Sequence, residues 1–177
     1  MIKPTFFLFA FGLLIGVTHA QKKDSGYPTE VPKPMFSKVS YGKHERNVLD
    51  FWQAKSKNPT PVAFVIHGGG WKGGSKERLP RFADPNALLK AGISVVAINY
   101  RYVTNTEEPP VKAPLHDAAR ALQFVRSKAK EWNVDKKRIG AAGGSAGACS
   151  SLWLAFHDDL ANPKSKDPVA RESSRLS

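Results

Sequence analysis

The chain has 177 residues, 41% hydrophobic and 10% aromatic, with a single cysteine, Cys149, and a net charge of +12 from 27 Lys plus Arg against 15 Asp plus Glu. That length and apolar content suit one domain with a buried core and exclude an array of domains or disorder throughout. A lone cysteine excludes an intramolecular disulfide framework and a cysteine-based zinc cage. The basic residues are scattered, and no stacked-aromatic nucleic-acid motif accompanies them. They read as solvated surface with at most weak attraction to acidic polysaccharide, and nucleic acid is not expected as a partner.

Residues 1–20 have the three-part pattern of a secretory signal peptide. A charged start at Met1 to Thr5 precedes an apolar run, Phe6 to Val17, and a small-residue cleavage site at Thr18-His19-Ala20. The apolar run is too short for stable membrane insertion, so an exported protein, periplasmic or secreted, is expected. Residues 21–36 are polar and proline-rich and suit an extended arm; residues 37–177 form the domain.

Within the domain, Ser37 to Tyr41 and Arg46 to Trp52 favour strands joined by a turn at Tyr41-Gly42-Lys43. Val62 to Ile66 is an unbroken apolar run of the kind buried on both faces of a sheet, and Ile93 to Ile98 repeats it. Between them, Asp84-Pro85 is a helix start and Gly92 a helix stop. Leu115, Ala118, Ala119, Leu122, Val125, Ala129 and Trp132 make one apolar stripe on a helix of roughly five turns. A short small-residue strand over Arg138 to Ala142 follows, and Cys149, Leu152, Trp153 and Phe156 predict the buried stripe of a last helix. Strands alternating with helices predict an α/β fold: a mostly parallel sheet with helices on both faces.

Two motifs carry chemistry. Gly143-Gly144-Ser145-Ala146-Gly147 stands between the last strand and the last helix and fits G-x-S-x-G. A strand turning sharply into a helix crowds its flanks, so glycine is needed there, and Ser145 is expected at the tip with strained angles and an exposed hydroxyl. His67-Gly68-Gly69-Gly70-Trp71 follows the strand Val62 to Ile66. Three glycines leave backbone N–H groups bare, as an oxyanion requires. The segment lacks the spacing of a phosphate loop and of a dinucleotide fingerprint.

In this order the two motifs resemble the α/β-hydrolase superfamily, and in particular its HGGGW-bearing esterase and lipase branch, which includes esterases that deacylate plant polysaccharides. Asn99-Tyr100-Arg101-Tyr102 is similar to that branch's NYR segment, and Ala113-Pro114 through Asp117 continues the likeness. The resemblance implies Ser145 as nucleophile and the N–H groups of Gly69, Gly70 and Ala146 as oxyanion donors. His67, Gly68, Trp71, Gly143 and Gly147 would support them. It implies a small-molecule or carbohydrate ester as substrate, with no metal and no cofactor; oligomeric state is left open. A binding remnant without turnover, or an amidase or peptidase on the same fold, would carry the same motifs.

The family orders its triad Ser, then Asp or Glu, then His. After Ser145 stand 32 residues with one histidine, His157, predicted on the same helix about 18 Å along the axis. His67, His116 and His44 precede the nucleophile, and none makes a convincing base. The expectation is an incomplete domain whose acid and base loops fall beyond Ser177, inactive by itself and exposing an apolar sheet edge. Cys149 is expected in the core, and Asp117 in a structural role.

Overall fold

The computed structural model describes residues 26–103 and 109–177; the expected signal peptide and the first residues of the arm lie outside that range. Five strands, β1 (Phe36–Ser40), β2 (Val48–Trp52), β3 (Thr60–Ile66), β4 (Ser94–Ile98) and β5 (Val134–Gly143), form one sheet in the order β1-β2-β4-β3-β5. β4, β3 and β5 are mutually parallel, while on the β4 side β2 is antiparallel to β4 and β1 is antiparallel to β2. The described part of the arm lies on β2: Trp52 Nε1 donates to the Pro32 carbonyl at 2.7 Å, and Tyr27 meets the Trp52 ring edge-on.

The unbroken apolar runs serve both faces, as their lack of alternation implies. Val62, Phe64, Ile66, Val96 and Ile98 point to one core with Leu122 and Val125 of α2 (Lys112–Ser127) and Leu154 of α3 (Ala146–Phe156). Val65, Val95 and Ala97 point to the other, closed by Leu79 of a 3-10 helix at Lys76–Arg81 and by Leu88 and Leu89 of α1 (Pro85–Lys90). Asp84 caps α1 by accepting from the N–H groups of Asn86 and Ala87.

Three expectations change. α2 ends at Ser127, and Trp132 reaches the core from the turns that follow, stacked on Phe51 with ring centroids 4.5 Å apart. β5 begins at Val134, but its register against β3 jumps from Thr60↔Val134 to Val62↔Ile139, so Asp135 to Arg138 bulge outward. On α3 only part of the expected stripe faces inward: Trp153 packs partly buried against the core. Ala146, Gly147, Ser150 and Leu154 are buried, while Cys149 is exposed and Leu152 and Phe156 are 59% and 81% accessible. The cause is proximity at the first turn: a Cβ on Gly147 would stand 2.1 Å from the Ile66 carbonyl oxygen, so only small residues fit there, and Leu154 reaches the core further along the helix.

Not all the basic residues are solvated. Lys76 is 3% accessible and pairs with Asp50 at 2.9 Å and with Glu77. Buried Arg126 donates to the carbonyls of Lys136, Ser173 and Arg175, fastening the last residues to α2. Ser177 N–H bonds the Ile139 carbonyl at 3.1 Å, covering one position of the β5 edge.

Candidate active site

The chain leaves β3 toward the face that carries the 3-10 helix and α1, and leaves the adjacent parallel β5 toward the face that carries α3. Neighbouring strands whose connections depart to opposite faces open a crevice at their carboxyl ends, where open α/β sheets bind ligands. Both motifs stand at that crevice.

Ser145 has φ 52° and ψ −121°, a conformation L-residues rarely adopt, and it is exposed. The turn is held by contact from all sides. A Cβ on Gly143 would lie 2.4 Å from the Ile66 carbonyl oxygen, and one on Gly144 would lie 2.4 Å from the Phe82 ring. The Ser145 side chain does not cap α3; the Ser145 carbonyl accepts from Cys149 N–H, as the start of a helix should. The hydroxyl therefore stands at the helix N-terminus without being used by it.

The glycine loop touches this turn. A Cβ on Gly68 would fall 2.5 Å from the Gly144 carbonyl oxygen and 3.5 Å from Ser145 Cβ, so the two motifs are in van der Waals contact. Gly69 (φ 130°), Gly70 (φ 59°) and Trp71 (φ 55°) then curl the chain back, and Lys72 and Gly73 N–H groups bond the Gly69 carbonyl. Gly69 and Gly70 are exposed. Trp71 Nε1 donates to Ser150 Oγ at 3.0 Å, and Ser150 Oγ donates to the Ala146 carbonyl at 2.9 Å. That bridge ties the loop to the first turn of α3, where Ala146 is 4% accessible.

Behind the loop stand His67 and Tyr100, both in segments that the resemblance singled out, together with Arg46 and Gly74, which the sequence did not mark. His67 is 1% accessible and stacks on Tyr100; its Nδ1–H donates to the Gly68 carbonyl at 2.9 Å, and its Nε2 is buried with no hydrogen-bond partner. Burial pushes this imidazole down to about 4; Arg46 and Arg78 add to the effect and the Gly68 bond opposes it. His67 is thus a neutral packing group that orients the loop. Arg46 donates to the Tyr100 carbonyl at 2.8 Å and the Gly74 carbonyl at 3.0 Å, lies over the Tyr102 ring, and Tyr102 OH also donates to Gly74. Gly74 (φ 97°) must be glycine, since a Cβ would stand 2.5 Å from the Gly68 carbonyl oxygen. A lone arginine in a turn gives no sequence signal; only the fold brings Arg46 to this loop.

The other candidates fall elsewhere. His157 ends α3, tilted against Trp153 with ring centroids 4.1 Å apart and its Nδ1 bonded to the Asp158 carbonyl; His44 accepts from Arg46 N–H in the β1–β2 turn. His116 tilts over Trp153 at 5.8 Å. Asp117 has the expected structural role: it accepts from Asn47 Nδ2, from Arg101 N–H and from the Arg101 guanidinium at 2.7–3.1 Å. Among the described residues, no group of three His, Cys, Asp or Glu is placed to hold a metal ion.

An elbow serine at the carboxyl end of β5, in contact with a glycine loop at the end of β3, defines the chain as an α/β-hydrolase-type fold. The BD-FAE family matches residues 49–174, and the chain belongs to that family. It is 36% identical over 124 residues to "Probable carboxylic ester hydrolase LipM" of Mycobacterium tuberculosis, covering 67% of this chain and 27% of that protein. It is 33% identical over 129 residues to kynurenine formamidase of Debaryomyces hansenii, covering 69% and 40%. The structure of an acetyl ester-xyloside bifunctional hydrolase from Caldicellulosiruptor lactoaceticus superposes with TM-score 0.64 at 29% identity, covering 84% of this chain and 56% of that one. The chain thus spans between about a quarter and two fifths of the length of these curated relatives, and about half of the solved one.

Proposed function

We propose that the chain carries the nucleophile half of a serine hydrolase for carboxylic esters, exported by the segment Met1–Ala20. Ser145 Oγ attacks the ester carbonyl carbon and gives up its proton to a base, which hands it on to the leaving alcohol oxygen. The carbonyl oxygen, now negative, is held by the N–H groups of Gly69, Gly70 and Ala146. Collapse expels the alcohol and leaves an acyl-Ser145, which water then cleaves to the acid. Losing one such donor typically costs ~3 kcal/mol of transition-state stabilisation. The observation that carries the reading is the contact between the two motifs, with an exposed Ser145 in a strained turn against Gly68 and Gly144. The reading assigns no described residue as base, since His67 is buried on Tyr100 and turned to its own loop.

A fluorophosphonate tests this, because covalent labelling needs an activated, exposed hydroxyl. With imidazole supplied as an external base, labelling should map to Ser145, rise with imidazole concentration and vanish in Ser145→Ala. Absence of an adduct at Ser145 under these conditions would favour a binding fold without turnover. The 33% likeness to a formamidase favours a second reading, cleavage of an amide C–N bond at the same serine. Comparing p-nitrophenyl acetate with p-nitroformanilide separates them; the ester reading expects the acetate to be the faster substrate.

A further inference from the structure

The basic residues, scattered in sequence, converge in space. The loop before β3 carries Lys55 and Lys57, and Asn133 Nδ2 binds that loop at the Ser56 and Asn58 carbonyls. The turns after α2 carry Lys128 and Lys130. The bulge of β5 displays Lys136, Lys137 and Arg138, all exposed because the register jump turns them out of the sheet. Arg138 ties the bulge to the loop through the Pro59 carbonyl at 2.8 Å.

Between these segments runs a groove of about 640 Å³, lined by Asn58 and Pro59 of the loop, by Ala129, Lys130, Asn133 and Val134, and by the bulge. Three acids answer the seven cations: Glu131 pairs with Lys128, Asp135 with Arg138 and Glu172 with Lys136. Among the described residues, no acid pairs with Lys55, Lys57, Lys130 or Lys137. The groove lies at the amino ends of β3 and β5, so a strand of seven residues, about 20 Å, separates it from the crevice at Ser145.

We propose that this groove anchors an acidic polysaccharide, a polymer of uronic acids whose carboxylates meet the lysines, while the opposite pole keeps Ser145 free. The choice of polymer rests on the ester-hydrolase reading and its carbohydrate-esterase neighbours; the charge cluster does not. A single-stranded nucleic acid fits less well, because Trp132, between Lys130 and Lys136 in sequence, is 2% accessible and offers no face for base stacking, and duplex DNA is separated by the test.

Binding to immobilised polygalacturonate, with xylan, duplex DNA and anionic vesicles as comparisons, tests the proposal without requiring turnover. The chain should bind polygalacturonate in preference to all three, and weaken roughly tenfold between 50 and 200 mM salt. The quadruple variant Lys55→Gln, Lys57→Gln, Lys130→Gln, Lys137→Gln should lose at least about tenfold in affinity. A control of equal net charge, Lys33→Gln, Lys43→Gln, Lys90→Gln, Lys112→Gln, should lose far less. Equal loss in both variants, tighter binding to DNA or vesicles, or no binding to polygalacturonate overturns the proposal. Binding without labelling of Ser145 would leave the anchor standing and remove the hydrolase reading.

Discussion

At the scale of single residues, the site is built by exclusion of Cβ atoms. Gly147→Ala would drive a methyl group to 2.1 Å from the Ile66 carbonyl oxygen, where the neighbour is backbone and cannot yield cheaply. We expect a loss of about 3 kcal/mol or more in urea unfolding. Gly70 has open space around its missing Cβ but φ 59°, so Gly70→Ala should cost only about 1 kcal/mol. Equal losses would contradict the packing described for the elbow. His67 gives a test by pH. Its folded pKa of about 4 lies below the ordinary 6.5, so the unfolded chain takes up a proton that the folded chain refuses between those values. The stability it contributes is complete above pH 6.5 and falls as pH drops toward 4, by up to about 3 kcal/mol. Measured against His67→Phe, the wild type should show this extra slope; parallel curves would refute a buried neutral imidazole.

At the scale of elements, Asp117 joins three of them: the residue before β2, the segment after β4, and α2 itself. Asp117→Ala removes the carboxylate that accepts from buried Asn47 and from the Arg101 N–H and guanidinium, so a loss of roughly 2–4 kcal/mol is expected by urea unfolding. A loss under about 1 kcal/mol would deny it a structural role. The elements differ in how plainly the sequence announced them. β3 and β4 were legible because burial on both faces demands uninterrupted apolar residues, and the elbow because its crowding demands glycine. The inward face of α3 was not. Cys149, Leu152 and Phe156 have the spacing of a core stripe, yet close approach to β3 gives the inner face to Ala146, Gly147 and Ser150. Hydrophobicity alone cannot reveal a face selected for smallness. An alkylating agent should therefore modify Cys149 in the native chain at about the rate of an unfolded one; full protection would restore the core assignment.

At the scale of the whole molecule, the two ends of the sheet are chemically distinct. The carboxyl ends of β3 and β5 gather the strained, glycine-rich contact at Ser145, while the amino ends gather the lysines of the β5 bulge. The first polarity follows from the switch in connection between adjacent parallel strands, and the ordering of the motifs already implied it. The second depends on a register jump that no periodicity records. Leu152 and Phe156 lie on a third surface, the outer side of α3, where their apolar area is open to solvent. Replacing both by Lys should leave the unfolding midpoint unchanged, because neither is buried in the core.

The relation between Ser145 and the glycine loop is tested most directly by amide chemical shifts across formation of a phosphonyl adduct. With the adduct's oxygen seated as described, the N–H resonances of Gly69, Gly70 and Ala146 should move downfield together, and amides at the lysine-bearing end of the sheet should not move. An adduct on Ser145 that leaves Gly69 and Gly70 unshifted would contradict the account.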